Sequence, residues 1–341
     1  MNRKKHGLFS RIAAGALALS LAAVSSGCQQ QNQSNGTIAV IAQAQGVQFW
    51  DLLQVGAVEG ASELGYEISY ASTAKASDID GQRTLMQQAI ANGVKGIIIA
   101  PNSPTDLNSE FERAYANDIP VITVSSNATY PGIRSYIGSD NVSAGQIAGR
   151  QLAEELGQGG EIAIISHSAT AQNAQGRVQG FEDSIALLNK QAKMTLGERA
   201  TDFSDIWTVS VKESSDGTRE GTEEVANKVM KEHPNVKLIF ATNENSTLGV
   251  CDAVSNAQKA GDIKIIGFNS NEAEISYIKT GVLTGTMVQS PYNMGYLGVR
   301  YIDKMLNGEE IRESYDTGAM YVSSRNINDD VVQLWIHPEQ N

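Results

Sequence analysis

The sequence predicts an α/β protein built from two similar lobes, each a doubly wound parallel sheet. From Thr37 onward, short runs rich in Ile and Val alternate with longer segments of helical character. A strand-helix-strand unit at Val94–Ile122 also recurs at Val236–Ile266, about 142 residues later. The chain has 341 residues, of which 41% are apolar, and this length exceeds what one hydrophobic core normally serves. Two lobes are therefore expected.

The predicted strands are mostly continuous apolar runs and not alternating patterns. Such runs are typical of strands that are buried on both faces of a parallel sheet. In chain order the predicted strands are Thr37–Ala42, Glu67–Ala71, Gly96–Ala100, Val121–Ser125, Glu161–Ser166, Leu238–Ala241, Ile263–Phe268 and Leu283–Val288.

Helical segments separate these strands, as the crossover connections of a parallel sheet require. In chain order the predicted helices are Phe49–Leu64, Ile79–Asn92, Leu107–Asn117, Ala144–Leu156, Val178–Asn189, Thr222–Glu232 and Thr247–Ala260. Ligands of such sheets bind beyond the carboxyl ends of the strands, so two facing lobes predict one site in the cleft between them.

The N-terminal 27 residues have the pattern of a secretory signal. Four basic residues and no acidic residue lie before Cys28, and the apolar segment Ile12–Val24 is too short for a spanning helix of about 20 residues. Small residues lead into Cys28, which resembles the lipobox of bacterial lipoproteins, in which the cysteine is acylated. The alternative is a free thiol in a disordered tail. Residues 28–36 are predicted to form a flexible, polar tether, because the stretch after Cys28 contains no hydrophobic residue.

Composition and motifs argue against several classes of protein. The formal net charge of −12 disfavours binding to nucleic acid. With only Cys28 and Cys251, the chain has no disulfide framework and no cysteine-based zinc site, and four histidines cannot form a dense metal cluster. The sequence contains no H-E-x-x-H, Walker or G-x-S-x-G motif. We therefore expect no enzymatic activity, no cofactor and no metal.

Polar side chains stand where several predicted strands end. Asn243, Asn269 and Gln289 follow strands, and Ser125 ends one. An amide offers both a donor and an acceptor, which suits the hydroxyls of a polyol. The aromatic pair at positions 49 and 50 could stack on a sugar ring. The alternative for each amide is a turn or a helix cap.

His167 follows a strand as well. A ligand contact and a loop histidine with a local hydrogen bond are both open interpretations of it.

Several motifs are distributed along nearly the whole chain. They include Phe49-Trp50-Asp51, Asp78-Ile79-Asp80-Gly81-Gln82, Ile137-Gly138-Ser139-Asp140-Asn141, Gly176-Arg177-Val178-Gln179-Gly180-Phe181, Phe240-Ala241-Thr242-Asn243-Glu244, Ile266-Gly267-Phe268-Asn269 and Met287-Val288-Gln289-Ser290-Pro291. Together these stretches resemble the bacterial periplasmic sugar-binding proteins of the ribose-binding and galactose-binding type, which serve ABC transporters. The resemblance implies the type I periplasmic binding protein fold, with a hinge of three chain segments.

The resemblance also implies a ligand site. Its predicted residues are Phe49, Trp50, Ser125, Gln175, Arg177, Asn243, Asn269 and Gln289. The family's ligand arginine aligns with either Gln175 or Arg177, and we favour Arg177. Ser125 and Asn269 stand where ribose-type sites have aspartates. The loss of two carboxylates, with Arg177 kept, makes an acidic or phosphorylated sugar more tolerable, and a neutral sugar or oligosaccharide remains the alternative.

The predicted function is that of a lipid-anchored, extracytoplasmic, monomeric solute-binding protein that delivers a sugar to an ABC permease by hinge closure. The first lobe would comprise 37–139 with 290–318, and the second 140–289 with 319–341. Alternatives are a receptor for a membrane histidine kinase or chemoreceptor, and an extracytoplasmic enzyme on the same fold.

Overall fold

The computed structural model describes residues 34–157, 159–196 and 206–338. Within them, the chain forms two six-stranded α/β sheets, which confirms the predicted fold class. The predicted signal sequence, Cys28 and most of the tether lie outside the described residues. None of the described helices is both long and apolar enough to cross a membrane.

The first sheet contains only parallel strand pairs, in the order β11-β5-β4-β3-β1-β2. Its strands are β1 (Thr37–Ala42), β2 (Glu67–Ser72), β3 (Gly96–Ile99), β4 (Val121–Val124), β5 (Tyr136–Gly138) and β11 (Ser314–Asp316).

The second sheet has the order β12-β10-β9-β8-β6-β7, and only β12 is antiparallel to its neighbour β10. Its strands are β6 (Gly160–Ser166), β7 (Trp207–Ser214), β8 (Val236–Ala241), β9 (Lys264–Phe268), β10 (Gly285–Gln289) and β12 (Ala319–Ser323).

A helix follows every described strand except β4 and β11, which are followed by β5 and β12. The helices are α1 (Gln48–Leu64), α2 (Ile79–Ala91), α3 (Asn108–Ala116), α4 (Asn141–Leu156), α5 (Gln172–Leu196), α6 (Arg219–Glu232), α7 (Glu244–Asn256), α8 (Glu272–Thr280), α9 (Pro291–Leu306) and α10 (Asp330–Ile336).

Each predicted strand and helix is present, but seven elements were missed: β5, β7, β11, β12, α8, α9 and α10. β7 lies at a sheet edge and alternates between exposed and partly buried residues after Trp207, so it lacks the continuous apolar run that marks a central strand. β5 and β11 have three residues each, too few to show a periodicity. Helix α5 extends beyond the predicted Val178–Asn189 at both ends.

Neighbouring residues of the central strands point into different cores, which explains their continuous apolar sequences. In β1, Ile38 and Val40 belong to one cluster, whereas Ala39 and Ile41 belong to another on the opposite face of the sheet. In the second sheet, the β8 residues Phe240 and Ile239 likewise belong to two different clusters on opposite faces. Each sheet is therefore covered by side chains on both faces.

The chain passes from one sheet to the other at three neighbouring places, after β5, after β10 and after β11. Hydrogen bonds join these passages. The Ser139 hydroxyl donates to the Gly318 carbonyl at 2.5 Å, the Gln289 amide donates to the Ser139 hydroxyl at 3.0 Å, and the Asp140 backbone N–H donates to Asp316 at 3.1 Å. The limits of the two lobes given above stay a prediction.

Close helix contacts depend on glycines in both lobes. A Cβ atom at Gly295 of α9 would overlap the Leu53 carbonyl oxygen of α1, and one at Gly180 of α5 would overlap the Val142 carbonyl oxygen of α4. Because the overlapping atoms belong to the backbone, the helices would have to move apart.

We expect Gly295→Ala to lower the free energy of unfolding by about 1–3 kcal/mol, measured by denaturant titration. Gly298→Ala in the same helix is the control, since its Cβ would meet only side-chain carbons of Ile98, at 3.1–3.6 Å and not backbone atoms, and alanine favours the helix. Equal stability of the two variants would contradict this account of the α1–α9 contact.

Candidate functional site

The carboxyl ends of both sheets face a common cavity. Its lining comprises Gln43, Val47, Phe49, Trp50, Ser125, His167, Asn173, Arg177, Asn243, Asn269 and Gln289. The free space at its centre is about 20 Å³, room for about one water molecule. A larger ligand would therefore enter only if the lobes separate or side chains rotate. Among the predicted site residues, all but Gln175 meet here.

The aromatic pair lies at the start of α1. Phe49 and Trp50 are each 6% exposed, and their ring centroids are 4.7 Å apart in an edge-to-face arrangement at 86°. Both rings also belong to the hydrophobic cluster on one face of the first sheet, which includes Ile38 and Val40. The pair therefore lines the cavity and stabilises the lobe at the same time.

Arg177 projects from α5 into the cavity and is 2% exposed. Its guanidinium donates to the Asn141 side-chain oxygen at 3.0 Å, the Thr242 carbonyl at 2.6 Å and the Gln289 side-chain oxygen at 2.8 Å. It also lies 4.2 Å from the centre of the Phe268 ring. Burial lowers the pKa of Arg177 to about 9. The guanidinium thus connects α4, the loop after β8 and the end of β10.

Gln175 does not line the cavity, so of the two positions considered for the arginine only 177 is placed there. Two residues along a helix correspond to a rotation of about 200°, which turns Gln175 to the opposite face of α5. Its side chain is exposed, and its amide donates to the Ala169 carbonyl at 3.1 Å.

Two strand-end residues have left-handed backbone conformations. Ser125 follows β4 with φ of 59°, and Asn269 follows β9 with φ of 84°. Non-glycine residues adopt this region at an energetic cost, which is smaller for asparagine than for most other residues. The buried Oδ1 atom of Asn269 has no hydrogen-bond partner among the described residues. That atom is available to a donor on a ligand.

The other two amides have structural partners already. The Asn243 side-chain oxygen caps α7 by accepting from the Ser246 backbone N–H at 2.9 Å, as the helix-cap interpretation expects. Gln289 ends β10 and joins Arg177 to Ser139. Both residues nevertheless line the cavity.

His167 is fully buried, and its Nδ1 lies 2.8 Å from the Thr242 hydroxyl. Burial, assisted by the nearby charge of Arg177, lowers the pKa of His167 to about 3. The imidazole is therefore neutral at physiological pH. Its partner is 75 residues away in sequence, so the bond is not the local one that the loop interpretation expects.

Sequence reasoning missed three residues of the lining. Gln43 directly follows β1, so the strand-end pattern that identified the other amides also applies to it. Its amide donates to the Pro101 carbonyl at 2.9 Å. Val47 and Asn173 lie near helix starts, and no sequence pattern distinguishes them.

Several hydrogen bonds join the two lobes around the cavity. The Glu244 carboxylate, at the start of α7, accepts from the backbone N–H groups of Gln48 and Phe49 at 2.9 and 3.2 Å. Helix α1 has no side-chain cap of its own, because Val47 stands at its N-cap. Burial raises the pKa of Glu244 although these bonds oppose the shift. A carboxylate of one lobe thus caps a helix of the other.

Glu274 lies behind this contact, fully buried in the first turn of α8. One carboxylate oxygen accepts from the Asn271 backbone N–H at 2.8 Å, and the other has no partner among the described residues. Burial, together with the negative charge of Glu244, raises the pKa of Glu274 well above its ordinary value of about 4.5.

This shift predicts a pH-dependent cost to stability. The folded protein binds the Glu274 proton more tightly than the unfolded chain, so the contribution of Glu274 is most favourable below about pH 4.5 and is lost as the pH rises toward the folded-state pKa. Glu274→Gln stays neutral and can keep the capping interaction. We expect its melting temperature to rise relative to the wild type across this pH range. Glu272→Gln, exposed on the same helix, should show no such trend, and a pH-independent difference for Glu274→Gln would contradict the shift.

Among the described residues, no group of three or more His, Cys, Asp or Glu side chains is placed to hold a metal ion.

The periplasmic binding protein domain family matches residues 38–310 of this sequence. The chain belongs to this family.

Several known proteins are similar to this chain over most of its length. The ribose import binding protein of Salmonella typhimurium is 28% identical over 301 residues, which cover 87% of this chain and 94% of that protein. The D-allose-binding periplasmic protein of Escherichia coli is 24% identical, with 77% and 82% of the two chains covered. An ABC transporter solute-binding protein of Agrobacterium vitis, solved with bound D-fucose, superposes with a TM-score of 0.80 at 27% identity and covers 87% of this chain and 99% of that one.

Proposed function

We propose that this protein is the extracytoplasmic solute-binding component of an ABC transporter and that it binds a sugar or sugar derivative in the interlobe cavity. The observation that carries the proposal is the convergence of amide, hydroxyl, guanidinium and aromatic groups from both sheets on one buried space. Amides and hydroxyls suit a polyol, and the aromatic pair suits the C–H face of a sugar ring. Relatives named for ribose and allose binding support the same class of ligand.

Hinge closure would couple binding to transport. Ligand contacts from both lobes favour the closed state, because those contacts are complete only when the lobes meet. The three passages between the sheets are the proposed hinge, and the closed form is the proposed signal to the membrane permease. The ligand would leave the cavity chemically unchanged.

A thermal-shift screen of residues 34–341 against neutral sugars, sugar acids and polyols tests the function. A ligand at 100 times its Kd stabilises the folded state by about 2.7 kcal/mol, which gives a clear rise in melting temperature. Mass spectrometry of the released ligand should show it unchanged. If no sugar-like compound raises the melting temperature, the proposed function is wrong.

We further propose that Cys28 anchors the mature protein to the outer face of the cell membrane. The support is the sequence pattern before Cys28 and the polar stretch after it. In cells that express Cys28→Ser, metabolic labelling with a fatty acid should not label this protein. Fractionation of the cells should find the variant outside the membrane fraction. Cys251→Ser is the control, since Cys251 is buried in a core cluster. Label retained in Cys28→Ser would contradict the anchor.

A further inference from the structure

Arg177 is a buried cation whose protein partners within the described chain are all neutral. Among the described residues, its three hydrogen bonds go to two side-chain amides and one backbone carbonyl, and no carboxylate forms an ion pair with it. The aromatic face of Phe268 supplies its other contact. An arginine has five N–H donors, so two remain for another partner.

Such an arrangement is costly unless an anion completes it. Removing a cation from water costs several kcal/mol, and neutral hydrogen bonds recover only part of this. By contrast, the partly buried Arg219 has the carboxylate of Asp252 as a bidentate partner at 2.5 and 2.8 Å. Arg219 thus has a carboxylate partner within the protein, whereas Arg177 in the cavity has none among the described residues.

The rest of the lining provides no compensating charge. It includes no aspartate or glutamate among the described residues, and His167 is neutral. The Glu244 carboxylate is directed to the backbone of α1, and the Asp140 carboxylate caps α4 through the Val142 and Ser143 N–H groups. Arg177 is therefore the one charged side chain among the described residues that line the cavity.

We propose that the ligand is an anionic sugar whose carboxylate pairs with Arg177, as in an aldonate or a uronate. This inference rests on the proposed function and specifies its ligand. The two oxygens of a carboxylate match the two remaining guanidinium N–H groups. The neutral amides, including the unpartnered Oδ1 of Asn269, then serve the ligand's hydroxyls.

Isothermal titration with matched pairs tests the charge directly. The pairs are D-ribose with D-ribonate, D-galactose with D-galacturonate, and D-glucose with D-gluconate, and D-ribose 5-phosphate tests a phosphate as the anion. We expect at least one acid to bind 10-fold or more tightly than its neutral partner. Binding of the neutral members alone would overturn the inference and leave the proposed function intact. Tighter binding of the phosphate than of any acid would overturn the carboxylate assignment, and binding of neither kind of sugar would overturn both proposals.

Variants separate recognition of charge from structural support. Arg177→Gln should reduce the ratio of acid to neutral affinity at least 10-fold, whereas Arg177→Lys should retain part of it. A purely structural role would weaken both members of a pair equally and leave the ratio unchanged, which would overturn the inference. Arg300→Gln is the matched control, because Arg300 pairs with Glu63 on the surface at 2.7 Å. Thermal melts confirm that each variant is folded before titration.

Discussion

Replacing Trp50 by alanine is expected to lower the free energy of unfolding by about 3–5 kcal/mol and to weaken sugar binding by a further 1–3 kcal/mol, roughly 5- to 150-fold in Kd. Both effects arise because the indole ring packs in the hydrophobic cluster on one face of the first sheet and also lines the cavity. Denaturant titration measures the first effect, and calorimetric titration of the folded protein measures the second.

Phe111→Ala separates the two effects. Phe111 is 1% exposed in a cluster on the other face of the same sheet, and it does not line the cavity. It should lose a similar amount of stability with no change in Kd. Trp50→Phe should keep most of the binding because it keeps an aromatic face. If Trp50→Ala binds as tightly as Phe111→Ala, Trp50 is a core residue and not a ligand contact.

Glu244→Ala is expected to raise the Kd about 10- to 100-fold. The carboxylate accepts two backbone N–H groups at the start of α1, and these bonds exist only while the lobes are together. Hydrogen bonds to a charged group contribute about 1.5–3 kcal/mol, and the helix dipole adds to the attraction. Their loss weakens the closed state that ligand binding requires.

Small-angle scattering provides a second measurement for this variant. Without ligand, Glu244→Ala should have a larger radius of gyration than the wild type, because its open state is more populated. Glu232→Ala, exposed on α6, is the control and should change neither quantity. An unchanged Kd and an unchanged radius would show that the Glu244 contact does not control closure.

The central architecture could be predicted because its signals are local. Strand β3 consists of four consecutive buried residues, so its sequence shows its environment without reference to the rest of the chain. The amides were found for a related reason, since parallel strands bring their carboxyl ends to one edge of a sheet. Edge strands such as β7 were missed because one face meets solvent, so that exposed and partly buried residues alternate and the continuous apolar run of a central strand is absent.

By itself the sequence determined the α/β class and the two lobes, and it predicted a site at strand ends and the residue types that line it. Tertiary structure decided which of Gln175 and Arg177 lines the cavity, that the guanidinium has only neutral partners in the described part of the chain, and that Glu244 caps a helix 195 residues away. The physical reason is that the periodicity of apolar residues indicates how each segment is buried. The partners of a charged side chain depend instead on where the chain crosses between the sheets. Those crossings place side chains that are remote in sequence within hydrogen-bond distance.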